Sequence, residues 1–250
     1  MAEGRSGGAT DPPLVVLVGL TGVGKSTAVG ALRTAVPGTV LLPNRRELAD
    51  RIVIPDAQRL AGEPVHPVRD RLQRFRLTAR YREAHPGGLA HALERYLARE
   101  GGAVDAPLLL FDNLRGEAEV GYACERFPRA RFIVLEAPAA TRVLRLAGRH
   151  DVFDRAGSPR GAAADALLAR LARVEGLDAL LDLHTLAAEA DGLDPEAVET
   201  GARVVAEESL HYDPGATWRR LDALPAARRI RLDTGRLSPR QVADRLLAWL

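Results

Sequence analysis

"LVVLVGLTGVGKSTAVGALRTA", Leu14 to Ala35, is the stretch that decides the fold. It opens on a continuous apolar run, Leu14 to Val18, turns through glycines at 19, 22 and 24, and continues as "STAVGALRTA", which has helical composition. An unbroken apolar run of strand length suits a strand buried on both faces, and so a mostly parallel sheet.

The turn, Gly19 to Ser26, fits G-x-x-x-x-G-K-[ST] at every fixed position, in the strand-to-helix setting that the motif requires. Glycines there allow backbone geometry that a β-carbon would block. The loop amides are then expected to turn inward around phosphate oxygens, with the positive end of the helix beneath them. The expected nucleotide contacts are Gly19, Leu20, Thr21, Gly22, Val23, Gly24, Lys25, Ser26 and Thr27. Of 35 basic side chains only Lys25 is a lysine, and the other 34 are arginines. A chain that writes arginine for every generic cation, as a GC-rich coding sequence does, keeps its one compact ammonium in this turn. A planar guanidinium is larger and offers a fork in place of a point charge. Lys25 is therefore expected on the β- and γ-phosphates of ATP, and Ser26 on Mg2+.

Four further short apolar runs can join the first: Thr39 to Leu42, Ala106 to Asp112, Arg131 to Glu136 and Arg229 to Asp233. Helical patterns separate them, so the expectation is an α/β, three-layer fold around a five-stranded parallel sheet. "LSPRQVADRLLAWL" closes the chain with Ser238 as N-cap, Pro239 in the first turn and Gln241 completing a capping box. Residues 13–156 and 227–250 form the expected nucleotide-binding core. Residues 157–226, Ala/Leu-rich and helical in period, form the expected insertion, a lid or small subdomain between strands four and five. Within it Asp194 caps a helix that begins at Pro195.

"LLLFDN" places a carboxylate, Asp112, at the end of a buried run. There it can hold Mg2+ through water or take a proton from an attacking hydroxyl. Arg115 follows just past the run's end, where a substrate or phosphate could lie, with Glu117 and Glu119 after it; a solvated helix start is the preferred reading of these three over direct chemistry. After the fourth run, Arg142, Arg145 and Arg149 fall within about 60° of one another on a helix. Such a row can stabilise a transferring phosphoryl group, with Arg149 and Arg155 the expected participants. In "VRDRLQRFRLTARYREA", Leu72, Phe75 and Ala79 align as an apolar seam flanked by arginines, which reads as a solvated face.

Composition excludes several classes. The net charge is +2 and aromatic content 4%, so little supports base stacking, and a nucleic-acid partner is not expected. Cys124 is the single cysteine, which rules out an intrachain disulfide or a cysteine zinc site. The six histidines share no metal spacing. Residues 1–12 are polar and glycine-rich, with no apolar signal core, and are expected to be disordered. No run is long enough to span a bilayer, so a cytoplasmic protein without a membrane partner is expected.

The chain resembles P-loop kinases of the nucleoside-monophosphate-kinase type. The resemblance rests on "GLTGVGKST", an acceptor-like segment from Asn44 to about Ala98, "RLAGRHDVFDR" as an arginine-bearing lid, and "RIRLDTGRLSPRQVADRLLAWL" as terminal strand and helix. "FDNLRGEAEV…RFIVLEAPAATRVLRLAGR" is also similar to the D-G-x-R…E-V…A-P…R-x-x-R-L pattern of dephospho-CoA-kinase-like proteins, with Asn113 in place of the glycine. The resemblance implies a transferase moving the γ-phosphoryl group of ATP-Mg2+ to a small acceptor. Lys25, Asp112, Arg149 and Arg155 would be catalytic, and Ser26 and Asp112 would hold the metal. The alternative is an ATPase or NTP-dependent switch acting on a protein partner through the helical insertion. A GTPase of the N-K-x-D type is not expected, because no lysine exists outside the loop.

Overall fold

The computed structural model describes residues 13–100, 106–148 and 160–250. The expected lead-in of residues 1–12, and Arg149 and Arg155, lie outside the described residues. Five parallel strands, β1 (Leu14–Val18), β2 (Val40–Leu41), β3 (Leu109–Leu114), β4 (Arg131–Glu136) and β5 (Arg229–Asp233), form one sheet in the order β2-β3-β1-β4-β5. The α/β expectation therefore holds, with β1 at the centre. Three of the strands occupy the residues read from the sequence. β3 ends two residues later than expected, and β2 is shorter.

Helix α1 (Lys25–Ala35) returns from β1, and α12 (Pro239–Trp249) packs beside it on one face. That face buries Val15, Leu17, Leu110, Ile133 and Leu135 against Leu32, Val242 and Leu246. The opposite face buries Val16, Val18, Phe111, Phe132 and Val134. It is covered by α2 (Arg45–Leu48), a π-helical turn (Ala49–Val53), α3 (Ile54–Leu60), α4 (Arg71–Ala84), α5 (Gly88–Glu100) and α6 (Glu117–Arg126). Alternate residues of β1 thus enter two different cores, which is why the run is apolar without interruption. Each fully buried leucine or phenylalanine contributes about 1.5–3 kcal/mol. The edge strand β2 differs: Val40 and Leu41 are exposed, as only one neighbour pairs with them.

After β4, α7 (Ala139–Ala147) joins α8 (Arg160–Leu171), α9 (Leu183–Glu189) and α10 (Pro195–His211) around a third apolar cluster that includes Val143, Leu171, Leu186, Val198 and Val205. α11 (Pro214–Asp222) crosses back to pack on α6, and Leu221 enters the same cluster as β1 and β3. The expected caps form: Asp194 accepts from the Glu196 amide at the head of α10, and Ser238 and Gln241 make the reciprocal box on α12. On α4 the burial is rotated from the expected seam. Leu77 and Tyr81 are inside, while Leu72 and Phe75 are 67% and 68% exposed.

Candidate functional site

The turn between β1 and α1 lies at the C-terminal end of the central strand, where parallel α/β sheets place their ligand crevices. Gly22 and Gly24 have φ of +84° and +88°, left-handed values that favour glycine. A β-carbon on Gly22 would lie 2.9 Å from the Arg142 carbonyl oxygen, so the loop runs directly against α7.

The loop carbonyls are held from several elements. Arg142 Nε donates to Thr21 O at 2.8 Å, Arg145 donates to Gly22 O at 3.2 Å, and Thr234 Oγ1 donates to Val23 O at 3.0 Å. A trans peptide is planar, so each pinned carbonyl directs the next N–H the opposite way. The amides of Gly22, Val23 and Gly24 are set in this manner, and among the described residues none of them donates to a protein acceptor. Successive amides free of protein acceptors beside a helix N-terminus are the kind of feature that can receive an anion.

Lys25 bends back across the turn, and its Nζ donates to Gly19 O and Leu20 O, both at 2.8 Å. Its pKa is pushed down to about 8. Burial is the main cause, with the charge on Arg115 next; Glu208 and Asp112 pull upward, and Arg142 adds to the depression. Burial thus weakens the charged form in this place, and a further anion against Nζ would favour it. Ser26 and Thr27, in the first turn of α1, are exposed.

Asp112 sits on β3 at an irregularity. Between Val16 and Val18 of β1 the partner strand advances from Phe111 to Leu114, one residue more than the register needs. The bulge at Asp112–Asn113 re-aims side chains at the strand end. Asp112 accepts from the Asn113 side-chain amide and influences Lys25 through space.

Glu208, near the end of α10, lies at the centre of the polar network and carried no signal in the sequence. Its carboxylate is 6% exposed. It accepts from the Thr21 amide at 3.0 Å, the Thr21 hydroxyl at 2.5 Å, Arg115 at 2.6 Å and Arg142 at 2.5 Å. Arg115 is thus paired and only a quarter exposed, contrary to the solvated reading, because α10 delivers a buried carboxylate to it. Glu119 departs from that reading too: it is buried, pairs with Arg45 at 2.7 Å and accepts from the Leu89 amide at 3.3 Å. Burial opposes the Arg45 charge, but Glu119, with Tyr212 and Glu208 adding to it, more than offsets this, so its pKa is raised. In Arg142 the balance runs the other way, and burial lowers the pKa despite Glu208. Two of the three arginines in the expected row, Arg142 and Arg145, thus reach the loop; Arg145 also donates to Thr234 Oγ1 at 2.8 Å and Thr234 O at 2.7 Å.

A cavity of about 280 Å³ opens behind the turn, walled by Val18, Leu20, Val134, Pro138 and Thr217 with Arg115 and Arg142 at its edge. His85 and His91 stack at 4.1 Å, and among the described residues no His, Cys, Asp and Glu group is arranged to hold a metal ion by itself. No helix among the described residues is long and apolar enough to cross a membrane.

Fold and site together define a three-layer α/β protein with a glycine-rich turn of the G-x-x-x-x-G-K-[ST] pattern on its central strand. No family model matches the chain, and no curated protein matches it. Among solved structures it is similar to TT1252 from Thermus thermophilus, at 20% identity over 95% of each chain with a TM-score of 0.49. It is also similar to an unliganded sugar kinase from Janibacter sp. HTCC2649, at 16% identity over 95% of this chain and 94% of that one, with a TM-score of 0.40.

Proposed function

We propose that the protein binds ATP with Mg2+ at the Gly19–Thr27 turn and transfers the γ-phosphoryl group to a small acceptor, a nucleotide or nucleoside-like molecule. The observation that carries the reading is the pinned loop: three successive carbonyls held from other elements, with the amides that follow them free of protein acceptors among the described residues, beside a half-buried lysine whose charge burial disfavours. A phosphate chain supplies the negative charge that Lys25 lacks, and the amides solvate it without reorganising.

In this reading Lys25 spans the β- and γ-phosphates. Mg2+ would be held by the Ser26 hydroxyl and, through water, by Asp112; an exposed hydroxyl at the head of α1 and a partly exposed carboxylate are hard oxygen donors that suit the ion. The ion supplies charge neutralisation at the phosphates. Asp112 alternatively accepts the acceptor's proton. Arg115 and Arg142 add positive charge beside Lys25. Arg149 and Arg155 close over the phosphates from the segment after α7, excluding water so that the acceptor is phosphorylated in preference to hydrolysis. Residues 157–226 form a small helical subdomain beside the site.

The test is incubation with Mg-ATP and a panel of nucleotides, nucleosides and CoA precursors, following phosphorylated product. A labelled product with one acceptor class supports the kinase. ATP consumption that no acceptor changes, but a protein partner does, would replace it with an ATPase switch. The direct route from α10 to the loop through Glu208 is the feature such a switch would use.

A further inference from the structure

We propose that Glu208 is a positioning residue that gathers Arg115 and Arg142 at the phosphate loop and fixes them there before any nucleotide arrives. The proposal rests on the phosphoryl-transfer reading for its consequence, but not for its geometry.

Three cations, Lys25, Arg115 and Arg142, converge on the turn from α1, the end of β3 and α7. They repel one another, and the effect is visible in Lys25, where both arginines press against the ammonium charge. The groups of opposite sign that act on Lys25 are Asp112 and Glu208. Of the two, only Glu208 touches the arginines. One of its oxygens accepts from Arg115 and the Thr21 hydroxyl, and the other accepts from Arg142 and the Thr21 amide. All four contacts fall between 2.5 and 3.0 Å, so the carboxylate is fully used and buried. A buried carboxylate with four donors has one orientation, and it imposes that orientation on the two guanidinium groups.

Arg115 is the side chain left with capacity. Its Nε is buried and has no hydrogen-bond partner among the described residues. Arg142, by contrast, spends Nε on Thr21 O. Glu208 therefore holds Arg115 by one end while leaving another donor beside Lys25 uncommitted. Aligned in advance, these charges need no reordering when negative charge develops on a transferring phosphoryl group. The carboxylate comes from α10, whose other buried residues belong to the cluster shared with α7, α8 and α9. The alignment of Arg115 is consequently set by a part of the chain remote in sequence, with Thr21 and Glu208 separated by 187 positions.

Glu208→Gln tests this, because glutamine keeps the shape but loses the charge and cannot accept from all four donors. Side-chain Nε–Hε resonances of Arg115 and Arg142 are recorded by NMR on the nucleotide-free protein. Intrinsic Mg-ATP hydrolysis and Mg-ATP affinity are measured in parallel. The expected result is loss of the protected Arg115 resonance, a turnover at least tenfold lower, and a dissociation constant within threefold of wild type. Retention of the resonance with turnover within twofold would overturn the proposal. So would affinity and turnover falling together in proportion to the folded fraction, which is what a merely structural residue would do. If the variant does not fold by circular dichroism, Thr21→Val removes one donor and keeps both ion pairs, and the same loss of Arg115 order is expected of it in weaker form; an unchanged Arg115 resonance there counts against the proposal. Wild-type protein that shows the ordered arginines but binds no Mg-ATP would sink the functional reading and leave the Glu208 geometry standing.

Discussion

Binding of Mg-ATP at pH 8 should take up about half a proton per nucleotide, and Lys25 is the group that takes it. Its pKa of about 8 arises from burial first and from Arg115 next, partly opposed by Glu208 and Asp112, with Arg142 adding to the depression. In the free protein the amine is then neutral in about one molecule in eleven at pH 7, half at pH 8 and about ten in eleven at pH 9. A phosphate chain against Nζ restores the charge, since an anion within hydrogen-bonding range favours the ionised form. The arginines remain charged throughout this window. Proton uptake should therefore be about 0.1 at pH 7, 0.5 at pH 8 and 0.9 at pH 9, and the dissociation constant should rise about tenfold from pH 7 to pH 9, or ~1.4 kcal/mol. Calorimetric titration with a non-hydrolysable ATP analogue, in buffers of different ionisation enthalpy, reads both quantities. The linkage also acts on folding, with a defined sign. The unfolded chain keeps the Lys25 proton up to 10.5 and the folded chain releases it near 8, so the free protein gains up to about 3 kcal/mol from this group as pH rises across that interval. Buffer-independent heats together with an affinity flat from pH 7 to 9 would refute the electrostatic argument for Lys25.

Other substitutions separate the parts of the structure. Gly22→Ala forces a β-carbon to 2.9 Å from the Arg142 carbonyl at a φ of +84°, and should cost about 1–3 kcal/mol, read as a fall in Tm with loss of nucleotide binding. Gly30→Ala, in the interior of α1 with nothing within 4 Å of the new carbon, should instead stabilise by roughly 0.5–1 kcal/mol in denaturant unfolding. Glu119→Ala leaves the partly exposed Arg45 without its partner and the Leu89 amide without an acceptor, and should lower stability by about 1–3 kcal/mol by the same measurement. Phe75→Ser should fall within about 0.5 kcal/mol of wild type, because the ring is exposed on α4.

The inner strands were readable because they are buried on both faces: Leu14–Val18 and the interior of Arg131–Glu136 are continuous apolar runs, and each is a strand over those residues. Arg229–Asp233 is also a strand as read, although only Leu232 in it is buried and arginine alternates with the apolar residues. The caps at Asp194 and Ser238 were readable for a similar local reason, since an N-cap side chain bonds within its own first turn. The glycine turn was readable as a motif. The ring of groups that holds it was readable only in part. Helical spacing put Arg142 and Arg145 in one row, and both reach the loop; Glu208 and Thr234 act on loop atoms from α10 and the end of β5, and nothing in local periodicity links them to Thr21 or Val23. Arg115 and Glu119 were misread for one reason: a charged residue at a helix start is usually solvated, and only tertiary packing shows that α10 and α2 bring buried partners. The seam on α4 failed differently. Arginine and apolar residues alternate so densely there that the periodicity fixes the helix without fixing its rotation, and Leu77 and Tyr81 took the core side.

Equilibrium titration of wild-type and Lys25→Met protein with Mg-ATP, both folded by circular dichroism, tests the account at its centre. The account predicts saturable binding to wild type at one site and a loss of at least a hundredfold in the variant. Absence of binding to wild type, or equal affinity in both proteins, would contradict it.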